Sequence, residues 1–250
     1  MHWNGLIRSG RQGAPFRAFG KFPEQVELCR FYSWPHLSKV GLFLQSLLRR
    51  MSMGNFKVKD HYFDKAKREN YLARSIYKLE EIDEKYKVLK PGMLVVDFGY
   101  HPGSWIQYTS KVIGPQGKVV GIDVRELNKK LTGLPNVRVY QKDIFDIHDL
   151  KQLDVDSPFD AVLSDMAPNT TGIKSLDQDR SLNLVESVFG LLPKFLNPGG
   201  NFVIKVFDSQ HAQNFLKEQK NLFKEFHYLK PKSTRSISKE FFVIGKHFKA

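Results

Sequence analysis

From Lys57 onward, apolar and polar positions along this chain fall into two alternating rhythms, after a start that has neither. Over Arg68–Tyr86 the apolar residues Leu72, Ile76, Leu79 and Ile82 recur every three or four positions, which predicts an amphipathic helix. Short runs rich in β-branched and aromatic residues follow at Met93–Phe98, Lys118–Asp123, Val137–Gln141, Phe159–Ser164 and Gly200–Phe207, and they predict strands. Helix-length stretches separate several of them: Ser104–Ile113, Leu176–Leu196 and Ser209–Phe223. A last pair, Phe226–Leu229 and Phe241–His247, predicts an antiparallel hairpin at a sheet edge. Alternation of this kind reads as an α/β fold with helices on both faces of one sheet. No internal repeat or low-complexity tract interrupts it.

Composition narrows the partners. The 250 residues are 41% hydrophobic, enough for a packed core. The formal charge of +13 points to a polyanion, most often nucleic acid, with acidic lipid, or a protein that is merely soluble and basic, as the other readings. No apolar run approaches the roughly 20 residues of a bilayer-crossing helix, so no membrane partner is expected. A single cysteine, Cys29, excludes an intrachain disulfide framework and a cysteine-based zinc site, and it fits a reducing compartment. Much of the charge sits early: residues 1–50 hold eight Lys/Arg against Glu24 and Glu27. This lead has one candidate helix, Leu37–Arg50. It reads either as an organellar transit segment or as an upstream extension, with Met51 or Met53 as the true start. The expected division is therefore a basic extension over residues 1–55 and one domain over residues 56–250.

The candidate chemistry lies where predicted strands end. Asp97-Phe-Gly99-Tyr-His-Pro-Gly103-Ser-Trp105 closes the first strand and opens a helix. Its glycines permit a tight turn and close approach of a ligand, and the following helix start offers unpaired N–H groups. The spacing is neither a dinucleotide fingerprint nor a P-loop, and it suits a nucleoside–amino-acid ligand such as S-adenosylmethionine. Asp123 ends the second strand, where doubly wound folds place the acid that binds ribose hydroxyls, and Asp143 follows the third. Asp165 follows the fourth strand. Lys205 lies in Asn201-Phe-Val-Ile-Lys-Val-Phe207, where a lysine is costly to bury without a partner. Two readings stay open for that pair: a base held by a carboxylate, which could take a proton from a hydroxyl nucleophile, or a buried ion pair that only stiffens the fold. Whether Lys205 is amine or ammonium is also left open.

Arg74-Ser-Ile-Tyr-Lys78-Leu79, Pro91-Gly-Met93, Ser164-Asp165-Met-Ala-Pro-Asn169, Pro198-Gly-Gly200 and Lys205-Val-Phe207 together resemble the FtsJ/RrmJ family of ribosomal RNA 2′-O-methyltransferases. Lys230-Pro-Lys-Ser-Thr-Arg235-Ser-Ile-Ser-Lys-Glu240 matches that family's C-terminal element, so the resemblance runs over about residues 57–248. It implies a Rossmann-like, mostly parallel seven-stranded sheet, S-adenosylmethionine as cofactor, and a Lys-Asp-Lys-Glu tetrad at Lys78, Asp165, Lys205 and Glu240. By the same resemblance Lys205 is the general base, the other three orient it and the ribose, and the substrate is a uridine of large-subunit rRNA. A tRNA methyltransferase of the same family is the nearest alternative. Asn169-x-x-Gly172 and Leu176-Asp-x-Asp-Arg180 lean toward the rRNA group. The cofactor residues implied are Asp97, Gly99, Gly103, Trp105, Asp123, Asp143 and Asp165. Trp105 is read as packing on the cofactor or filling the core.

One departure stands out. Phe98, Tyr100, His101 and Ser104 replace the family's usual smaller residues in the cofactor loop, which leaves a catalytically silent RNA-binding assembly factor as a rival reading. For RNA, Lys57, Lys59, Lys65, Lys67, Arg68 and Arg74 interleave with Phe56, Tyr62, Phe63 and Tyr71 before Lys78. Lys230, Lys232, Arg235 and Lys239 approach Glu240 from the other end. Both groups are expected to grip phosphates while aromatics stack on bases. Thr170, Thr171 and Gly172 read as a flexible substrate loop. No metal is implied, a monomer is expected, and the compartment is expected to be the cytoplasm, or the mitochondrial matrix if residues 1–50 are a transit peptide.

Overall fold

The computed structural model describes residues 61–249. The expected extension and its helix Leu37–Arg50, and the residues Phe56, Lys57 and Lys59, lie outside the described residues. The described elements run α1 (His61–Arg68), α2 (Ile76–Tyr86), β1 (Leu94–Phe98), α3 (Ser104–Ile113), β2 (Lys118–Asp123) and β3 (Val137–Gln141). Then follow β4 (Phe159–Ser164), α4 (Lys174–Phe195), β5 (Leu196–Phe207), α5 (Gln210–Gln219), β6 (Phe223–Leu229) and β7 (Glu240–Phe248).

These strands form one seven-stranded sheet in the order β3-β2-β1-β4-β5-β7-β6. The first five are parallel, while β7 inserts antiparallel between β5 and β6. Buried on both faces, the central strands read as nearly unbroken apolar runs. Their alternate side chains feed two cores. Val96, Phe98, Val120, Ile122 and Val162 pack with Val185, Phe189 and Leu192 of α4 and Leu216 of α5. Val95, Val119, Ala161 and Leu163 pack with Leu79 and Ile82 of α2 and Trp105 and Ile106 of α3. The sheet therefore carries helices on both faces, as the alternation predicts.

The predicted helix Arg68–Tyr86 forms only from Ile76, and its first residue, Arg68, instead closes α1. Asn70 takes a left-handed conformation (φ 59°), and Tyr71 N–H bonds back to the Ala66 carbonyl, which ends α1. The chain then runs irregularly to Ser75 before α2 begins. A second difference lies in β5, which starts at Leu196 rather than Gly200: Leu196 pairs with Phe159, and the Asn197–Gly200 turn bulges out of register before Asn201 pairs with Ala161.

Topology sets the site. The C-terminal ends of β1 to β5 share one rim, where ligands of open α/β sheets gather. Because β7 is antiparallel, its first residue Glu240 pairs with Phe207 at the end of β5 and reaches that same rim.

Candidate active site

Four charged side chains from four elements converge at the rim. Asp165 follows β4 directly, Lys205 lies two residues from the end of β5, Glu240 opens β7, and Lys78 lies in the first turn of α2. Lys205 Nζ donates to the Asp165 carbonyl at 2.5 Å and lies 3.0 Å from Asp165 Oδ1, the latter a charge contact rather than an aligned hydrogen bond. Lys78 Nζ lies 3.9 Å from the same Oδ1 and donates to Glu240 Oε1 at 2.5 Å. The four thus form a continuous line, with Asp165 shared by both lysines. All are largely buried, which strengthens each attraction relative to water. Lysine and carboxylate alternate along it, each side chain beside one of the opposite type.

Beside this line opens a cavity of about 490 Å³, lined in part by Gly99, Asp123, Asp143, Asp165 and Met166. At Gly99 (φ 76°) a Cβ would stand 2.2 Å from Met166 Cγ, so any side chain there would be strained and would displace Met166. At Gly103 (φ 114°) a Cβ would meet Leu131 at 2.6 Å, so this glycine serves packing behind the loop. Asp123 caps the loop, accepting from the backbone N–H of His101 at 3.1 Å and of Arg125 at 2.9 Å. Asp143 accepts from the Phe145 N–H at 3.1 Å.

Asp97 is the unusual group. It is 1% exposed, and neither carboxylate oxygen has a hydrogen-bond partner. Burial, with Asp165 and Asp123 nearby, holds its carboxyl well above the ordinary range. An unpartnered acid facing other acids is incomplete by itself, and a cationic ammonium would complete it. Together with the Gly99 approach and the Asp123 and Asp143 carboxylates, this fits a ligand with an amino-acid end and a nucleoside end.

Residues 71–248 match the family model described as FtsJ-like methyltransferase. The chain belongs to that family. A protein of Bdellovibrio bacteriovorus named Ribosomal RNA large subunit methyltransferase E is 44% identical over 191 residues, 76% of this chain and 97% of that protein. One of the same name from Oleidesulfovibrio alaskensis is 46% identical over 195 residues, 77% and 93% of the two chains. Among solved structures, a Plasmodium falciparum protein provisionally described as a ribosomal RNA methyltransferase superposes with a TM-score of 0.60 at 29% identity, covering 71% of this chain and 98% of that one. A Methanococcus jannaschii fibrillarin, at a TM-score of 0.50 and 16% identity over 65% and 70% of the chains, shares the fold alone.

In this methyltransferase Trp105 takes the second of its two readings, the core, and the Thr170–Gly172 segment is held by hydrogen bonds. Trp105 does not line the cavity: it is 2% exposed, donates its indole N–H to the Ser75 carbonyl at 2.8 Å and packs on Phe242. Its role is to fix α3 against the Lys78 helix. The Thr170–Gly172 segment is not free either. The N–H groups of Thr171 and Gly172 and the Thr171 hydroxyl all donate to Asp177 in the first turn of α4. These bonds hold the Asp177 carboxyl below its usual range.

The two basic groups meet across the tetrad. Arg74 donates to the Ser233 carbonyl at 3.0 Å, tying the approach to α2 to the segment before Glu240. Lys232 N–H donates to Glu81 at 2.8 Å, while its side chain, like Arg235, is exposed. Lys67 and Arg68 are exposed at the end of α1, whereas Lys65 is engaged by Glu69 at 3.9 Å and by the Tyr77 ring at 4.2 Å. Sequence reading missed Met166 and Arg125 as cavity walls. Met166 adjoins Asp165, but only the fold shows it against Gly99. Arg125 lies 3.2 Å from His101 Nδ1, a pairing that no motif announced. Among the described residues no group of three His, Cys, Asp or Glu is placed to hold a metal, and no helix is long and apolar enough to cross a membrane.

Proposed function

We propose that this chain methylates the ribose 2′-hydroxyl of a uridine in large-subunit ribosomal RNA, with S-adenosylmethionine as methyl donor. The observation that carries the reading is the Lys205–Asp165–Lys78–Glu240 line at the mouth of a cavity of nucleoside size. When bound, S-adenosylmethionine supplies an electrophilic methyl group whose C–S bond breaks with the electron pair left on sulfur. Asp97 would hold its ammonium, Asp123 the ribose hydroxyls and Asp143 the adenine amino group.

The protein's own task is to raise the reactivity of a poor nucleophile. Lys205, as the amine, accepts the 2′-hydroxyl proton while the O–C bond forms. Asp165 holds Nζ from one side through its carbonyl and carboxylate, leaving the opposite side for the substrate. Lys78, held by Glu240, lies against the same Asp165 oxygen and fixes that carboxylate in place beside Lys205. Exposed Lys67, Arg68, Lys232 and Arg235, with Arg74, supply the cationic approach for the RNA backbone.

The test is transfer of labelled methyl from S-adenosylmethionine to large ribosomal subunits lacking the modification, with tRNA as control. Label on rRNA, mapped to a uridine ribose, is the expected result; label confined to tRNA, or none with folded protein, overturns it. We read the enzyme as a monomer of the cytoplasm, or of the mitochondrial matrix if residues 1–50 direct import; sedimentation and imaging of the tagged full chain check both.

A further inference from the structure

On the sheet face opposite the tetrad, a second cavity of about 420 Å³ opens between α5 and the β6–β7 hairpin. It is lined by Asp208, Gln213, Lys217, Tyr228 and Phe241. Tyr228 is 50% exposed, an unusual place for an aromatic ring, and lies 5.8 Å from Phe241, ring centre to ring centre. The polar side is built: Gln213 donates to Asp208 Oδ1 at 2.7 Å, and the Asp208 N–H and carbonyl are bonded to Lys239 and Gln178. An aromatic wall, an amide–carboxylate edge and an ammonium are the groups that recognise a nucleotide: stacking for the base, hydrogen bonds for its edge and charge for its phosphate.

Position joins this cavity to the methyl-transfer site. Phe241 directly follows Glu240, and along a strand successive side chains point to opposite faces. Glu240 therefore turns toward Lys78 and Phe241 toward Tyr228, across the same rim of the sheet. Their Cα atoms are about 3.8 Å apart. A strand of RNA laid over that rim would present one nucleotide to the tetrad and a neighbour to this cavity, approached from the exposed Lys230 and Lys239. We propose that the Tyr228–Phe241 cavity is a nucleobase subsite for a nucleotide flanking the methylated one. The inference rests on the reading of the chain as an RNA methyltransferase.

The experiment measures binding of a single-stranded RNA oligonucleotide carrying 2-aminopurine, by anisotropy and by fluorescence quenching, to the full chain and its Tyr228→Ala and Tyr228→Phe variants. Stacking makes two results expected together: Tyr228→Ala weakens binding roughly tenfold and relieves quenching, while Tyr228→Phe, which keeps the ring, does neither. In turnover, Tyr228→Ala should raise the KM for RNA and leave kcat unchanged. Wild-type methylation of RNA with unaltered affinity and quenching in Tyr228→Ala overturns the subsite alone. Absence of methylation by the wild type sinks the parent reading instead. Should Tyr228→Ala fold poorly, Lys217→Gln on the exposed helix repeats the test, with a severalfold loss expected and none overturning it.

Discussion

Replacing Glu240 by Leu, or Lys78 by Met, leaves one charge of a buried pair without its closest partner. The pair is close, at 2.5 Å, and the two side chains are only 11% and 12% exposed. In Glu240→Leu, Lys78 keeps Asp165 at 3.9 Å, an oxygen already committed to Lys205 at 3.0 Å, and the face of the Phe242 ring at 5.5 Å. Breaking a buried pair from one side typically costs about 3–5 kcal/mol, while replacing both partners by apolar groups of similar volume is often neutral or stabilising by about 1–4 kcal/mol. For a domain of this size each 1 kcal/mol moves Tm by about 2–4 °C, so each single variant should melt roughly 6–20 °C lower. The Lys78→Met/Glu240→Leu double variant should recover most of that loss. Urea denaturation of the four proteins gives the coupling energy, and methyl transfer measured in parallel should be lost in all three variants. Such a result would separate stability from activity and show that the pair is kept for chemistry. The reasoning is refuted if each single variant lies within about 1 kcal/mol of wild type, or if the double variant loses the sum of the singles.

Lys205→Ala should lower methyl transfer by at least the ~10²–10⁴-fold that general-base catalysis contributes, with RNA affinity unchanged in filter binding. An intact rate would remove the base. Asp97 has its folded carboxyl raised above the unfolded range, so the folded protein binds more protons and its stability falls as pH rises from the unfolded value toward the folded one. Asp97→Asn should therefore raise the Tm of cofactor-free protein at neutral pH, leave it unchanged near pH 3, and abolish S-adenosylhomocysteine binding in calorimetry. Equal melting at neutral pH would show that the acid is not strained. Gly99→Ala forces a Cβ into Met166 at a positive φ, and should weaken cofactor binding at least tenfold while RNA binding persists. Lys232→Gln should weaken RNA binding and reduce the slope of log K against log salt by about 0.7–0.9, if its ammonium meets a phosphate. An unchanged slope would place it outside the interface.

The sequence by itself determined most of the local structure and nearly all of the candidate chemistry. Strands β2 and β4 and helix α3 stand at the predicted residues, because a strand buried on both faces must be apolar throughout and a half-buried helix must repeat every three or four positions; β3, a partly exposed edge strand, does so through its Val and Tyr residues. Lys205 could be singled out because a lysine in such a run is costly to bury without a partner. What periodicity could not see was a late start: Asn70 is in a left-handed conformation and the predicted helix begins only at Ile76, although the apolar spacing already begins at Leu72. Nor could it see which residues distant in sequence come together. The pairing of Phe207 with Glu240, which brings a C-terminal acid to the lysine of α2, follows from one antiparallel strand inserted into a parallel sheet. Trp105 shows the same limit from the other side, since an aromatic beside a cofactor loop turns into the core or into the ligand according to which face its helix presents. The inventory of charges was legible in the chain. Only the tertiary structure decided that Asp165 is shared by both lysines and that Asp97 is left with no partner, because both depend on distances between segments the chain does not join.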